Sequence, residues 1–183
     1  MGTVAGAVRS AGPARVAYLP GMAGPDLHPS LAPLAFLLGD WEGEGEGDYP
    51  TIDAFTYRER LTFSHGGRPF LTYLQLTEGP GGDPMHTETG YLRVAGPASG
   101  GGHAVEMVLA QPTGVAEVLT GLAVDHDVHL HSTRVALTPT AKRVDTTARR
   151  LRLHGGRLVV DLSMAAVGEP LTHHLHSELV PVA

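Results

Sequence analysis

The 183-residue chain contains no cysteine. That excludes disulfide staples, thiolate-ligated zinc and iron–sulfur clusters. Lysine is nearly absent as well: Lys142 is the only one, so the cations are almost all arginine. Lys and Arg together number 13 against 19 Asp and Glu, a net charge of −6 that argues against a chain built to neutralise phosphates. No apolar run approaches the roughly 18 residues of a membrane span. The first 27 residues are rich in Ala, Gly and Pro and carry Arg9 and Arg15, and their apolar runs are too short for a signal-peptide core. The expectation is a disordered tail over residues 1–27, a single domain over 28–183, and a cytoplasmic location.

Turn formers are plentiful, with 24 Gly and 14 Pro, and histidine is abundant, with 11. One short segment has helical spacing: Leu31, Leu34, Ala35 and Leu38 lie between Ser30, a candidate N-cap, and Gly39, with Pro33 in the first turn. From Gly39 onward the period is two. Phe55, Tyr57, Leu61 and Phe63 alternate with Thr56, Arg58, Arg60 and Thr62, which predicts a strand with one apolar face. Similar segments follow, separated by His65-Gly66-Gly67-Arg68, Gly79–Pro84, Gly96–Gly102, Pro112-Thr113-Gly114, Pro139, Gly155-Gly156 and Gly168-Glu169-Pro170. With a first strand at Gly39–Gly47, this makes about ten strands in a meander. Closing an all-β antiparallel sheet of that size into an up-and-down barrel removes its edges and leaves room for a ligand. A closed barrel needs no partner to cover its edges, so a monomer or weak homodimer is expected. No fixed-period repeat suggests a propeller.

Gly39-Asp40-Trp41-Glu42-Gly43-Glu44-Gly45 places glycine at every second position around the only tryptophan. Alternate strand residues share a face, so Gly39, Gly43, Gly45 and Gly47 leave that face bare. A bare face permits a sharp bend or the close approach of another group. Trp41 shares it and can plug one barrel end. Gly47-Asp48-Tyr49-Pro50-Thr51 follows, then Arg68-Pro69-Phe70-Leu71, His86-Thr87-Glu88-Thr89-Gly90-Tyr91-Leu92-Arg93, and finally Pro170-Leu171-Thr172-His173-His174-Leu175-His176. Taken together, these segments resemble the nitrobindin family in order and without large gaps, from about His28 to the C-terminus. The resemblance implies a ten-stranded antiparallel barrel similar to fatty-acid-binding proteins and lipocalins. It implies one heme b at the barrel mouth, with His174 as the single axial ligand to iron and Thr51 as a second heme contact. It implies isomerisation of peroxynitrite to nitrate at ferric heme, and reversible binding of nitric oxide.

The residues themselves leave the ligand open among three. On a regular last strand Thr172, His174, His176 and Glu178 share one face, and Leu171, His173, Leu175, Ser177 and Leu179 share the other. Imidazole is a good iron ligand when its second nitrogen has a fixed partner, and nothing in the sequence identifies that partner. Without cysteine, thiolate ligation is excluded. No distal acid–base pair of the peroxidase type is evident, which suits an isomerase. For heme propionates at a rim, Lys142 and the Arg149-Arg150 pair are candidates. Each arginine reads better as a solvated rim cation, and Lys142 gains weight because Pro139-Thr140-Ala141-Lys142 looks similar to bacterial relatives of the family. His129 and His131 form an H-x-H pair that could hold zinc with further ligands, but a solvated face fits it better. His65, His86, His103 and His154 read as surface or rim residues. Two other readings of the same barrel are a non-catalytic heme or nitric oxide carrier or sensor, and a carrier of apolar ligands without iron. Nothing suggests nucleic acid or membrane as a partner.

Overall fold

The computed structural model describes residues 25–182. The strands are β1 (Gly39–Tyr49), β2 (Ile52–Ser64), β3 (Leu71–Glu78), β4 (Pro84–Pro97), β5 (His103–Ala110), β6 (Val115–Val124), β7 (Asp127–Leu137), β8 (Val144–His154), β9 (Arg157–Ala166) and β10 (Thr172–Pro181). Each pairs antiparallel with its neighbour in sequence, and β10 returns to pair with β1, closing the barrel. The expected meander is therefore the observed one, and no strand is left as an edge. Among the described residues no helix is long and apolar enough to cross a membrane. Residues 1–24 of the expected tail lie outside the described residues, while Leu27 packs against the core.

The expected helix forms as a 3₁₀ helix, Pro29–Leu37, capped by His28 rather than Ser30. His28 Nδ1 accepts the Ser30 N–H at 3.3 Å, and its carbonyl accepts the Leu31 N–H at 2.9 Å. Leu31, Leu34 and Leu37 are fully buried. Their spacing of three matches the three residues per turn of a 3₁₀ helix, so one narrow stripe faces the barrel. Trp41 sits just inside that end, and its Nε1–H donates to the Leu37 carbonyl at 2.8 Å. The tryptophan thus plugs the barrel and ties the plug to the strand wall. Phe36 lies against His126, ring centroids 5.1 Å apart, over the same end. Beneath them Leu61, Phe63, Leu71, Leu92, Met107, Leu119, Leu158 and Leu179 fill the closed half. Burying each such side chain stabilises the fold by about 1.5–3 kcal/mol.

The glycine face of β1 is filled from the inside by its neighbours. A Cβ on Gly45 would lie 2.6 Å from Tyr57 Cε2 and Oη, and one on Gly47 would lie 2.6 Å from both Leu175 Cδ2 and Phe55 Cζ. Close approach, the second of the two uses expected for a bare face, is what these glycines allow.

Candidate functional site

The open end of the barrel carries the β1–β2, β3–β4, β5–β6, β7–β8 and β9–β10 connections. Below them is a cavity of about 220 Å³. Phe55, Val115, Val144, Leu162, Met164 and Leu175 form its apolar wall, and His174 enters from β10. A larger depression of about 420 Å³ lies over Gly45 on the outer wall, lined by Glu44, Glu46, Arg58, His176 and Glu178. Its charges are mixed and face solvent, so the inner cavity is the candidate site.

His174 reaches the cavity through a break in strand regularity. The β9–β10 register shifts between His173 and Leu175, which is a β-bulge at His174. Leu175, Ser177 and Leu179 face inward, as strict alternation from the buried Leu179 requires. Alternation would then send His174 outward with His176. The bulge instead lets both His174 and Leu175 line the cavity. It also turns His173 to the outside beside His176, where both face Asp161, at 3.6 Å and 2.8 Å. The expectation that His174 and His176 point the same way is corrected: the bulge separates them.

A second irregularity faces the first. The β1–β2 register shifts between Gly47 and Tyr49, and β1–β10 pairing ends at Gly47 opposite Leu175. Where the ladder stops, His174 Nδ1 lies 2.8 Å from the Asp48 carbonyl oxygen. A carbonyl can only accept, so Nδ1 carries the proton. Nε2 is then the ring nitrogen left outside that bond. This carbonyl is the orienting partner that the sequence left unidentified. Tyr49 and Phe55 stand edge-on to the imidazole, centroids 5.3 and 6.1 Å away. Tyr49 is itself fixed: its hydroxyl accepts the Ala166 N–H at 2.9 Å, across the mouth on β9.

Thr51 is exposed in the β1–β2 turn, and Lys142 is exposed in the β7–β8 loop. Both stand on the rim of the mouth, outside the cavity lining. Arg149 and Arg150 separate. Arg150 faces outward, bonded to Asp127 through Nε at 3.0 Å. Arg149, read as a rim cation, is instead buried in the lumen, because β8 turns Thr147, Arg149 and Leu151 inward together. His129 pairs with Asp127 at 3.1 Å and His131 is exposed, and no metal-binding group of three side chains occurs among the described residues. His86 lines the mouth, half-buried, with Nε2 3.5 Å from Glu88 Oε2.

The floor of the cavity is a polar layer that the sequence reading passed over. Arg149 forks onto Glu88, Nη1 to Oε1 at 2.6 Å and Nη2 to Oε2 at 3.0 Å, and reaches Glu117 Oε1 at 3.2 Å. Tyr73 donates to Glu88 Oε1 at 2.6 Å, and Thr147 donates to Glu117. One layer deeper, Gln75 donates to Glu59 Oε1 at 2.5 Å. Burial opposes ionisation of Glu88, but the Arg149 guanidinium and hydrogen bonds from His86, Tyr73 and Arg149 outweigh it and hold the carboxyl down to about 2. Burial, reinforced by Glu88, pushes the Glu59 carboxyl up against the hydrogen bond from Gln75. The signal was present in the alternation: Glu59 shares the face of Tyr57 and Leu61, and Glu117 that of Val115 and Leu119.

A closed antiparallel barrel with one oriented imidazole over an apolar-walled cavity defines a binding barrel for a ligand with an imidazole-accepting centre. The chain matches the model of the THAP4-like, heme-binding β-barrel domain over residues 30–180, and it belongs to that family, the nitrobindin barrels. It is 48% identical over 158 residues to a peroxynitrite isomerase of Nocardia farcinica, a match covering 84% of this chain and 91% of the relative. It is 47% identical over 159 residues to peroxynitrite isomerase 2 of Mycobacterium avium, covering 84% and 96%. The crystal structure of Rv2717c from M. tuberculosis superposes with a TM-score of 0.77 at 42% identity, covering 86% of this chain and all of that one. The cavity fits the family's heme in its donor set. One imidazole nitrogen, Nε2, is available on a ring held by a main-chain carbonyl, beside aliphatic and aromatic walls suited to a flat apolar macrocycle.

Proposed function

We propose that the cavity holds one heme b through His174 Nε2, and that the chain isomerises peroxynitrite to nitrate and binds nitric oxide reversibly. The observation that carries this reading is the His174 Nδ1–Asp48 carbonyl bond, which leaves Nε2 to ligate in a cavity whose upper wall is formed by Phe55, Leu162, Met164 and Leu175. The relatives named peroxynitrite isomerase support the reaction. Thr51 and Lys142 are the proposed rim contacts, Lys142 as the cation for a propionate. When bound, heme would supply a ferric Lewis acid for peroxynitrite, whose isomerisation to nitrate needs no co-reactant.

The chain's own contribution is orientation and exclusion. The Asp48 carbonyl holds the His174 ring in one tautomer and one plane, and Tyr49 and Phe55 limit its rotation. Phe55, Leu162, Met164 and Leu175 keep water from the walls. His174 would hold the group through Nε2, and the group would supply the site at which substrate reacts. The charged floor does not favour a purely apolar ligand, which weighs against the fatty-acid-type carrier. We place the chain in the cytoplasm as a monomer or weak homodimer, with small molecules as its partners.

The test is reconstitution with hemin. The wild-type protein gives a Soret band, and His174→Ala, a substitution at a half-buried mouth position, removes or displaces it. The ferric protein accelerates peroxynitrite decay in stopped flow with nitrate as product. A protein that takes up no hemin sinks the whole reading, and one that binds heme without accelerating decay is the carrier or sensor.

A further inference from the structure

Every polar neighbour of the two floor carboxylates is a donor. Glu88 faces Tyr73 Oη, Arg149 Nη1 and Nη2, Gln111 Nε2 at 3.3 Å, and His86 Nε2 at the mouth. Glu117 faces Thr147 Oγ1, Gln111 Nε2 at 3.2 Å and Arg149 Nη2. An all-donor shell suits the acceptor-only, ionised form of a carboxylate. Glu59 sits a layer deeper and is pushed toward its neutral form by burial. Among the described residues, one guanidinium therefore serves two carboxylates on this floor, with only the His86 ring 3.5 Å from Glu88 at the mouth besides, so one carboxylate has no guanidinium of its own. An uncompensated charge in a buried site is costly, so the cavity is electrostatically incomplete without a cation. His174 lines the same cavity.

We propose that the surplus charge of the Glu88–Arg149–Glu117 clasp makes the cavity select the charge state of its porphyrin, favouring a cationic metal core over a neutral one. Ferric heme b has such a core, whereas ferrous heme and zinc protoporphyrin have neutral ones. The clasp would thus favour ferric over ferrous heme, the state that the isomerisation uses. This inference rests on the heme reading above.

The apo-protein is titrated with hemin and with zinc(II) protoporphyrin IX, both of which accept one axial imidazole, and the ratio of the two affinities is the readout. Glu117→Gln removes the surplus charge with little change of shape. Gln111→Lys places a cation beside both carboxylates from a half-exposed position just after β5 and keeps the clasp whole, so it carries the test if the first variant folds poorly. In either variant the hemin-to-zinc-porphyrin affinity ratio falls roughly tenfold. That is the scale of one unit charge acting over on the order of 10 Å at an effective dielectric constant of ~20. The ferric/ferrous midpoint rises correspondingly, by about 59 mV for tenfold in a one-electron couple. An unchanged ratio in a folded variant that still binds both porphyrins overturns the proposal and leaves the heme reading standing. Failure of the wild type to bind either porphyrin overturns both.

Discussion

Glu88→Gln tests the physical account of the cavity floor most directly. Glu88 is 1% exposed and its carboxylate takes both arms of Arg149. Its pKa is lowered from 4.5 to about 2 in the fold. At about 1.36 kcal/mol per pH unit, this is about 3 kcal/mol of stability. A depressed carboxyl contributes fully above its unfolded value and loses the contribution as pH falls through its folded value. The stabilisation is thus complete above pH 4.5 and gone near pH 2. The neutral amide cannot make it at any pH. For a chain of this size, about 1 kcal/mol moves the melting temperature by about 2–4 °C, so the variant melts about 6–12 °C below wild type at pH 7. Melts followed by far-ultraviolet circular dichroism from pH 7 to pH 2.5 then show the two curves converging as the wild type alone loses stability. Equal stability at pH 7, or a deficit that stays constant into acid, refutes the claim that Glu88 is an ionised partner of Arg149.

Two further variants probe the rest of the barrel by the same melts. The pKa of Glu59 is raised by burial, so its sign is opposite: the unfolded chain ionises it first, and wild type loses stability as pH rises above 4.5. Glu59→Gln, which keeps an acceptor for Gln75, is therefore more stable than wild type at pH 7, with the gain vanishing below pH 4.5, and a loss at pH 7 contradicts the assignment. Gly45→Ala pushes a methyl to within 2.6 Å of Tyr57 Cε2 and Oη and destabilises the fold by about 1–3 kcal/mol, and a neutral result would mean that the ring does not rest on β1.

Most of the architecture was legible in the sequence. Period-two alternation from Gly39 onward and punctuation by glycine and proline anticipated about ten strands in a meander, and ten are observed. Closure followed from the cost of exposed edges. The tryptophan plug was readable because Trp41 shares a face with the glycines. The helix was legible as an element but not in type or cap. Its period of three, Leu31-Leu34-Leu37, was the missed signal. The polar floor was equally written in the alternation, since Glu59, Glu88, Glu117 and Arg149 all occupy inward positions. It went unread because a charged residue on an apolar face looks solvated until a partner is found on a distant strand. Glu88 and Arg149 are 61 residues apart.

By itself the sequence determined the class of fold, the glycine face and the imidazole-bearing last strand, because alternation, turn chemistry and motif spacing are local properties of the chain. The tertiary structure alone decided how His174 enters the cavity and how it is held. A bulge is a mismatch in count between two strands, and one strand read alone cannot show it. Facing bulges in β1 and β10 bring the Asp48 carbonyl to His174 Nδ1, and the closed lumen brings Arg149 between two glutamates. Both arrangements depend on register between segments far apart in sequence, and only the closed barrel sets that register.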